Sequence, residues 1–238
     1  MPLPSDIEAL DIGCGDGKST LAIAQKLEIE GAVVGIDKNV AKLPTAGPDP
    51  NISFHGFDVM DLPNSKLARM TTLLNVLPGL ASYAAAFALL KKAAIVSRDF
   101  IYVSQVQFDA TPHLIRRGFK TYYSDLAANR FQGSSFDYLR MARHLLEDGL
   151  IADFALMESE RIRDSADPAI HSLQAPGDSG PYEANTHRYK TTDVVFSEPV
   201  YKKLHVILCK KPAQLVPISK RMRALDRVDN VIFSTMPL

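Results

Sequence analysis

Three glycines, Gly13, Gly15 and Gly17, sit two residues apart behind Asp11 in the stretch Ala9-Leu-Asp-Ile-Gly-Cys-Gly-Asp-Gly-Lys-Ser-Thr20. Residues without a Cβ take positive φ and let another molecule approach the backbone to van der Waals distance, so this spacing predicts a turn that a small ligand can lie against. An apolar run, Ile7 to Ile12 interrupted by Glu8 and Asp11, leads into the turn. Behind it, Leu21, Ile23, Ala24 and Leu27 share one side of a helix opening at Ser19 or Thr20. The unit reads as strand, glycine turn, helix. The N–H groups at the helix start are expected to favour polar or anionic atoms, as a ribose or phosphate would supply.

Further acids stand where strands should end. Gly31-Ala-Val-Val-Gly-Ile-Asp37 is an apolar run closing on a carboxylate, followed by Lys38. An acid at that place accepts hydrogen bonds from the two hydroxyls of a ribose. Ile52-Ser-Phe-His-Gly-Phe-Asp58-Val59 repeats the pattern, and Met70-Thr-Thr-Leu-Leu-Asn75 reads as a buried strand running into a loop.

The spacing separates two cofactor classes. A dinucleotide fingerprint, G-x-G-x-x-G, would require glycine where Lys18 stands. The pattern present is D-x-G-x-G-x-G, and over roughly residues 7 to 108 the chain resembles the class I S-adenosylmethionine (SAM) dependent methyltransferases. The resemblance implies cofactor contacts from Asp11, Gly13, Cys14, Gly15 and Gly17 in the first motif. It implies Asp37 with neighbouring Lys38 at the ribose, Asp58 and Val59 at the adenine, and Asn75 near the transferred methyl. Asn75 is followed by Val76, Leu77 and Pro78, not by the Pro-Pro-Tyr/Phe run of the nucleic-acid amino methyltransferases. Cys14 also reads as a small turn filler, and Asp61 as a solvated turn residue.

The implied fold is α/β and Rossmann-like: a mostly parallel seven-stranded sheet with an antiparallel last strand and helices on both faces. Residues 1–211 would form one SAM-binding domain, with substrate or lid insertions at 110–135 and 163–192, and 212–238 a C-terminal tail. Members of that family usually carry helices before the first strand, and only about six residues precede it here. The lid is then expected from elsewhere, or the chain is shortened.

Element by element, the expectation is a helix over Ser19–Glu28, a strand over Ala32–Ile36, and a Pro/Gly-rich connection with at most a helical turn. Strands follow over Ile52–Phe57, Thr71–Val76 and Phe100–Phe108, with an alanine-rich helix over Leu80–Ser97 between the last two. A packing helix, Ser135–Glu147, presents Phe136, Leu139, Met141, Leu145 and Leu146 and ends at Gly149. Ile151–Met157 supplies a sixth strand. Thr192–Phe196 and Lys203–Cys209 read as a hairpin or paired edge, and the basic tail past Lys211 as a short surface helix or a partly disordered segment.

Composition narrows the setting. Lysine plus arginine equals aspartate plus glutamate at 27 each, so net charge draws the chain neither to nucleic acid nor to an acidic membrane. Two cysteines give neither a disulfide framework nor a metal-ligand pattern, and no metal is expected. No signal peptide or run of about 20 apolar residues is present, which makes the cytoplasm the expected location.

Methyl transfer requires in-line positioning more than covalent help, so no catalytic residue is assigned. If a base is needed, His113, His171 and His187 are candidates, and the stretch Thr111–Gly133 with Arg116, Arg117, Lys120, Tyr122, Tyr123, Asp125 and Arg130 is either an active-site cover or a solvated connector. The expected activity is methyl transfer from SAM, with S-adenosylhomocysteine (SAH) as product, to a small-molecule acceptor. A non-catalytic SAM-binding protein or partner-dependent subunit is the alternative, and an NAD oxidoreductase is disfavoured by Lys18 and Asp58.

Overall fold

The computed structural model describes residues 3–4, 6–45, 49–121, 131–162, 170–175, 194–196, 201–226, 228 and 230–237. Tyr122, Tyr123, Asp125, Arg130, His187 and most of the 163–192 insertion lie outside them. Strand β1 (Ile7–Ile12) buries five of its six residues, and the glycine turn links it to helix α1 (Lys18–Lys26). Its parallel neighbours are β2 (Ala32–Asp37) on one side and β4 (Ala68–Leu74) on the other, with β3 (Ile52–Gly56) beyond β2. A strand paired on both edges and covered on both faces must be apolar throughout, which is why Ile7, Leu10 and Ile12 and, in β2, Val33, Val34 and Ile36 are almost wholly buried.

Helix α2 (Tyr83–Val96) is capped by the Ser82 side chain on the Ala85 N–H and returns the chain to β5 (Ser97–Val106), parallel to β4. The order 3-2-1-4-5 places a topological switch point beside β1, between the connections that leave β1 and β4 in opposite directions. Helix α3 (Thr111–Ile115) and a separate two-stranded sheet, β6 (Phe119–Thr121) with β8 (Ile170–Ser172), fill part of the expected insertions. Helix α4 (Ser135–Glu147) starts in a capping box between Ser134 and Asp137. Past Gly149, at φ +67°, comes β7 (Asp153–Ile162).

The other half of the sheet differs from the expectation. The full order is β10-β7-β9-β5-β4-β1-β2-β3, eight strands and not seven. Strand β9 (Tyr201–Cys209), expected in a hairpin or at a paired edge, is antiparallel as the implied fold requires but is inserted between β5 and β7. Its apolar residues explain the placement: Leu204, Val206 and Leu208 pack on one face while Ile207 and Cys209 pack on the other, a pattern only an interior strand can bury. The eighth strand comes from the segment read as a tail. Helix α5 (Leu215–Asp226) seats Leu215 and Met222 against Ala155, Met157 and Ile207, and β10 (Asn230–Ser234) then pairs antiparallel with β7.

Helices cover both faces as expected: α2 and α4 over the largest core cluster, α1 and α5 over the opposite face. One packing expectation fails at α4. Phe136 is 72% exposed, whereas Tyr138 is 1% exposed and fills the inward position, because a two-residue shift on a helix turns a side chain to the other flank. Among the described residues no helix is long and apolar enough to cross a membrane.

Candidate functional site

Two cavities of similar size lie at opposite ends of the strands. One, of about 660 Å³, is lined at the amino ends by Glu8, Arg69 and Asp99 together with residues of α5. The other, of about 630 Å³, is lined by Gly13, Gly15, Asp37, Asp58 and Asn75 at the carboxyl ends of β1 to β4. Only the second gathers the residues that the sequence marks, and it is at the end where open α/β sheets bind ligands.

The turn is built in layers. Gly13 takes φ +74°, and a Cβ on it would stand 2.7 Å from the Val76 side chain, so the turn is pressed against the end of β4. Gly15 takes φ +54° with nothing within 4 Å of its absent Cβ, so its backbone faces open space in the cavity wall. Gly17 is a different case. It faces Phe54 and Pro44 and supports packing, and it does not line the cavity.

The turn's own donors are spent inside the protein. The N–H groups of Gly13 and Cys14 both donate to the Ile36 carbonyl, at 2.7 and 3.1 Å, and Gly17 N–H donates to Cys14. Gly15 N–H donates to Asp37 Oδ2 at 2.9 Å, and Lys18 N–H to Asp16 Oδ1 at 3.3 Å. Of the six amides from Gly13 to Lys18, five are thus engaged, which leaves little of the turn itself free to hold an anion. A phosphate needs such amides free.

Asp37 Oδ1 accepts the Asn39 N–H at 2.7 Å. Each oxygen of the Asp37 carboxylate therefore holds one backbone donor and keeps lone-pair capacity toward the cavity. Lys38 lines the rim and is exposed. Asp58 caps the short 3-10 turn Val59–Asp61 by accepting the Met60 N–H through Oδ1 at 2.9 Å, and Val59 is 5% exposed beside it. Asp61 is exposed. Asn75 has φ +57°, a left-handed conformation that asparagine tolerates better than most residues, and its N–H is tied to Ser104 of β5 at 2.9 Å. It stands just past the end of β4 and lines the cavity.

Asp11 and Cys14 are not on the cavity wall. Asp11 is 1% exposed, and its carboxylate accepts from Ser19 Oγ at 2.6 Å, Thr20 Oγ1 at 2.8 Å and Thr72 Oγ1 at 2.7 Å. The hydroxyls come from the first turn of α1 and from β4, so this acid joins three elements. Burial is the main cause that pushes its pKa up, partly opposed by those three hydrogen bonds. Cys14 is buried against Thr20 and Gly35, and burial, with the charges of Asp11 and Asp37, pushes its thiol up to about 12. It is a turn filler with no thiolate at neutral pH.

The far wall was not legible in the motifs. Leu80, just before α2, and Ala85, Ala88 and Leu89 on it line the cavity. The small residues Ala85 and Ala88, one turn apart, are the signal that could have marked this face. Neither of the candidate bases among the described residues lines it. His113 is exposed on α3 with Nδ1 3.0 Å from Arg116, His171 is buried in the small sheet, and His187 lies outside the described residues.

No family model matches the chain, and no curated protein matches it by sequence. Solved structures do. The plantazolicin methyltransferase BpumL, in complex with a triazolic desmethylPZN analog and SAH, aligns with a TM-score of 0.53 at 15% identity, over 86% of this chain and 77% of that one. The same protein in complex with SAH aligns at 0.52 and 15% identity, over 86% of this chain and 76% of that one. At such identities the likeness is one of fold: the chain has the Rossmann-like fold of the class I methyltransferases.

Proposed function

We propose that the protein is a SAM-dependent methyltransferase whose cofactor lies in the cavity at the carboxyl ends of β1 to β4 and whose acceptor is a small molecule. The observation that carries this reading is the glycine turn with its amides spent. A dinucleotide would have to place its pyrophosphate on amides that already donate to Ile36, Cys14, Asp16 and Asp37. A nucleoside without phosphate needs only the bare backbone at Gly15 and acceptors for its hydroxyls and amino group, which Asp37 and Asp58 provide.

Bound there, SAM would supply a methyl group carried on a positively charged sulfur. The chain's part is positional. Asp37 would hold the ribose hydroxyls, Asp58 and the half-buried Phe57 would meet the adenine, and Asn75 would stand beside the reacting centre. Leu80 and Leu89 would exclude water from it. No histidine lines the cavity among the described residues, which favours an acceptor that needs no strong base at neutral pH. The same observation favours, as a second reading, a SAM-binding subunit that a partner completes. The two differ in turnover: acceptor methylation by the chain alone excludes the second.

The test is calorimetric titration with SAM, SAH and NAD. Micromolar binding of SAM and SAH without binding of NAD is expected. NAD binding, or no binding of any of the three, would overturn the assignment.

A further inference from the structure

Two carboxylates flank the glycine turn, Asp11 behind it and Asp37 at its side, and among the described residues neither has a cationic partner. The groups that face Asp11 are Ser19 and Thr20 of α1, Thr72 of β4, Cys14 of the turn and Asp37 at the end of β2. Three of these are neutral hydroxyls, one a thiol and one a second acid. The hydroxyls disperse the Asp11 charge and do not balance it, and the turn amides are committed elsewhere. A buried carboxylate in that state is costly unless a cation arrives nearby. The cavity's two lysines, Lys38 and Lys42, are exposed at its outer rim, where water screens them.

We propose that Asp11 sets the charge preference of the site: from behind the wall formed by Gly13 and Gly15, its carboxylate strengthens binding of a cationic nucleoside relative to its neutral counterpart. Resting on the SAM reading above, this means that Asp11 favours the sulfonium of SAM over the thioether of SAH without touching either. It acts through space and is a specificity-determining residue, not a catalytic one.

The test compares the parent with Asp11→Asn, which keeps the shape and removes the charge, by titration with SAM, SAH and sinefungin, an analogue bearing an ammonium in place of the sulfonium. The variant is expected to weaken SAM and sinefungin roughly 3- to 10-fold more than SAH. The melting temperature of the ligand-free variant is expected to hold or rise, because a buried unbalanced charge is gone. A merely structural clamp would instead lower the melting temperature and weaken all three ligands alike. Equal weakening, or no change in the ratio, overturns the proposal while leaving the SAM assignment intact. A parent that binds none of the three removes the SAM assignment itself, and the proposal with it. If Asp11→Asn does not fold, stepwise acidification of the parent serves in its place, since burial raises the Asp11 pKa and its carboxylate takes up a proton before an exposed one does. SAM and sinefungin should then lose affinity relative to SAH, and an unchanged ratio overturns the proposal.

Discussion

The half of the sheet that carries the cavity and the half that carries β7, β9 and β10 obey different rules. In the first, β1 to β5 run parallel, and each connection returns the chain to a strand beside one already laid down. In the second, β9 arrives from some forty residues beyond β7 and wedges between it and β5. The first half spends its polar groups on shaping a turn and a cavity, while the second is mostly packing around one buried imidazole: Leu204, Val206, Ile207, Leu208 and Cys209 are almost fully buried, and His205 meets Tyr102, Ser104 and Ser159. Binding and stability should therefore separate along this line.

The sharpest break is expected from Gly15→Val. A side chain there projects into open space in the cavity wall, so binding of SAM should become undetectable by calorimetry, while the positive φ costs only about 1–2 kcal/mol of stability. Leu208→Ala should do the reverse, destabilising the fold by about 2–5 kcal/mol in urea titration with the SAM dissociation constant unchanged. If Leu208→Ala weakens SAM as much as it weakens the fold, the two halves are coupled and the comparison fails.

Asp37→Ala, which removes the acceptor at the ribose position, should weaken SAM by about 1.5–3 kcal/mol. It should also loosen the turn, since Gly15 N–H loses its partner. Asp11 gives a smaller effect with a defined sign. Its folded pKa is raised, so the native state holds a proton more tightly than the unfolded chain does. Its contribution then falls as pH rises from about 3.9 through the raised value. Subtracting the stability–pH curve of Asp11→Asn from that of the ligand-free parent should isolate a downward slope there; an upward slope would mean that the hydroxyls outweigh burial. Phe136→Ser, at a solvated position of α4, should change stability by no more than about 0.5 kcal/mol by the same urea titration.

Much of the cavity half was legible because its signals are local. Strand β1 was read with its observed ends, β2 and β3 within a residue of theirs, and α4 with its observed ends, each from an apolar run bounded by glycine, proline or a capping serine. The acids at strand ends were visible for the same reason, and Asp37, Asp58 and Asn75 do converge on one cavity. The insertion of β9 was not legible. An apolar strand reads alike at an edge or in the interior, and only its neighbours distinguish the two. The tail's strand, Asn230 to Ser234, is five residues with Val231 and Ile232 partly exposed, too short and too weakly patterned to register.

By itself, then, the sequence determined the strand–turn–helix at Gly13 to Gly17, the parallel succession behind it and the acids that meet at the cavity. These follow from backbone geometry and hydrophobic periodicity over a few residues. Tertiary structure alone decided what those groups are free to do. It brought the Ile36 carbonyl and the Asp37 carboxylate against the turn and engaged the amides of Gly13, Cys14 and Gly15. It closed Ser19, Thr20 and Thr72 over Asp11 and moved that acid from the wall to the interior. Which hydrogen bonds remain open to a ligand depends on partners distant in the chain, and only the folded chain brings them together.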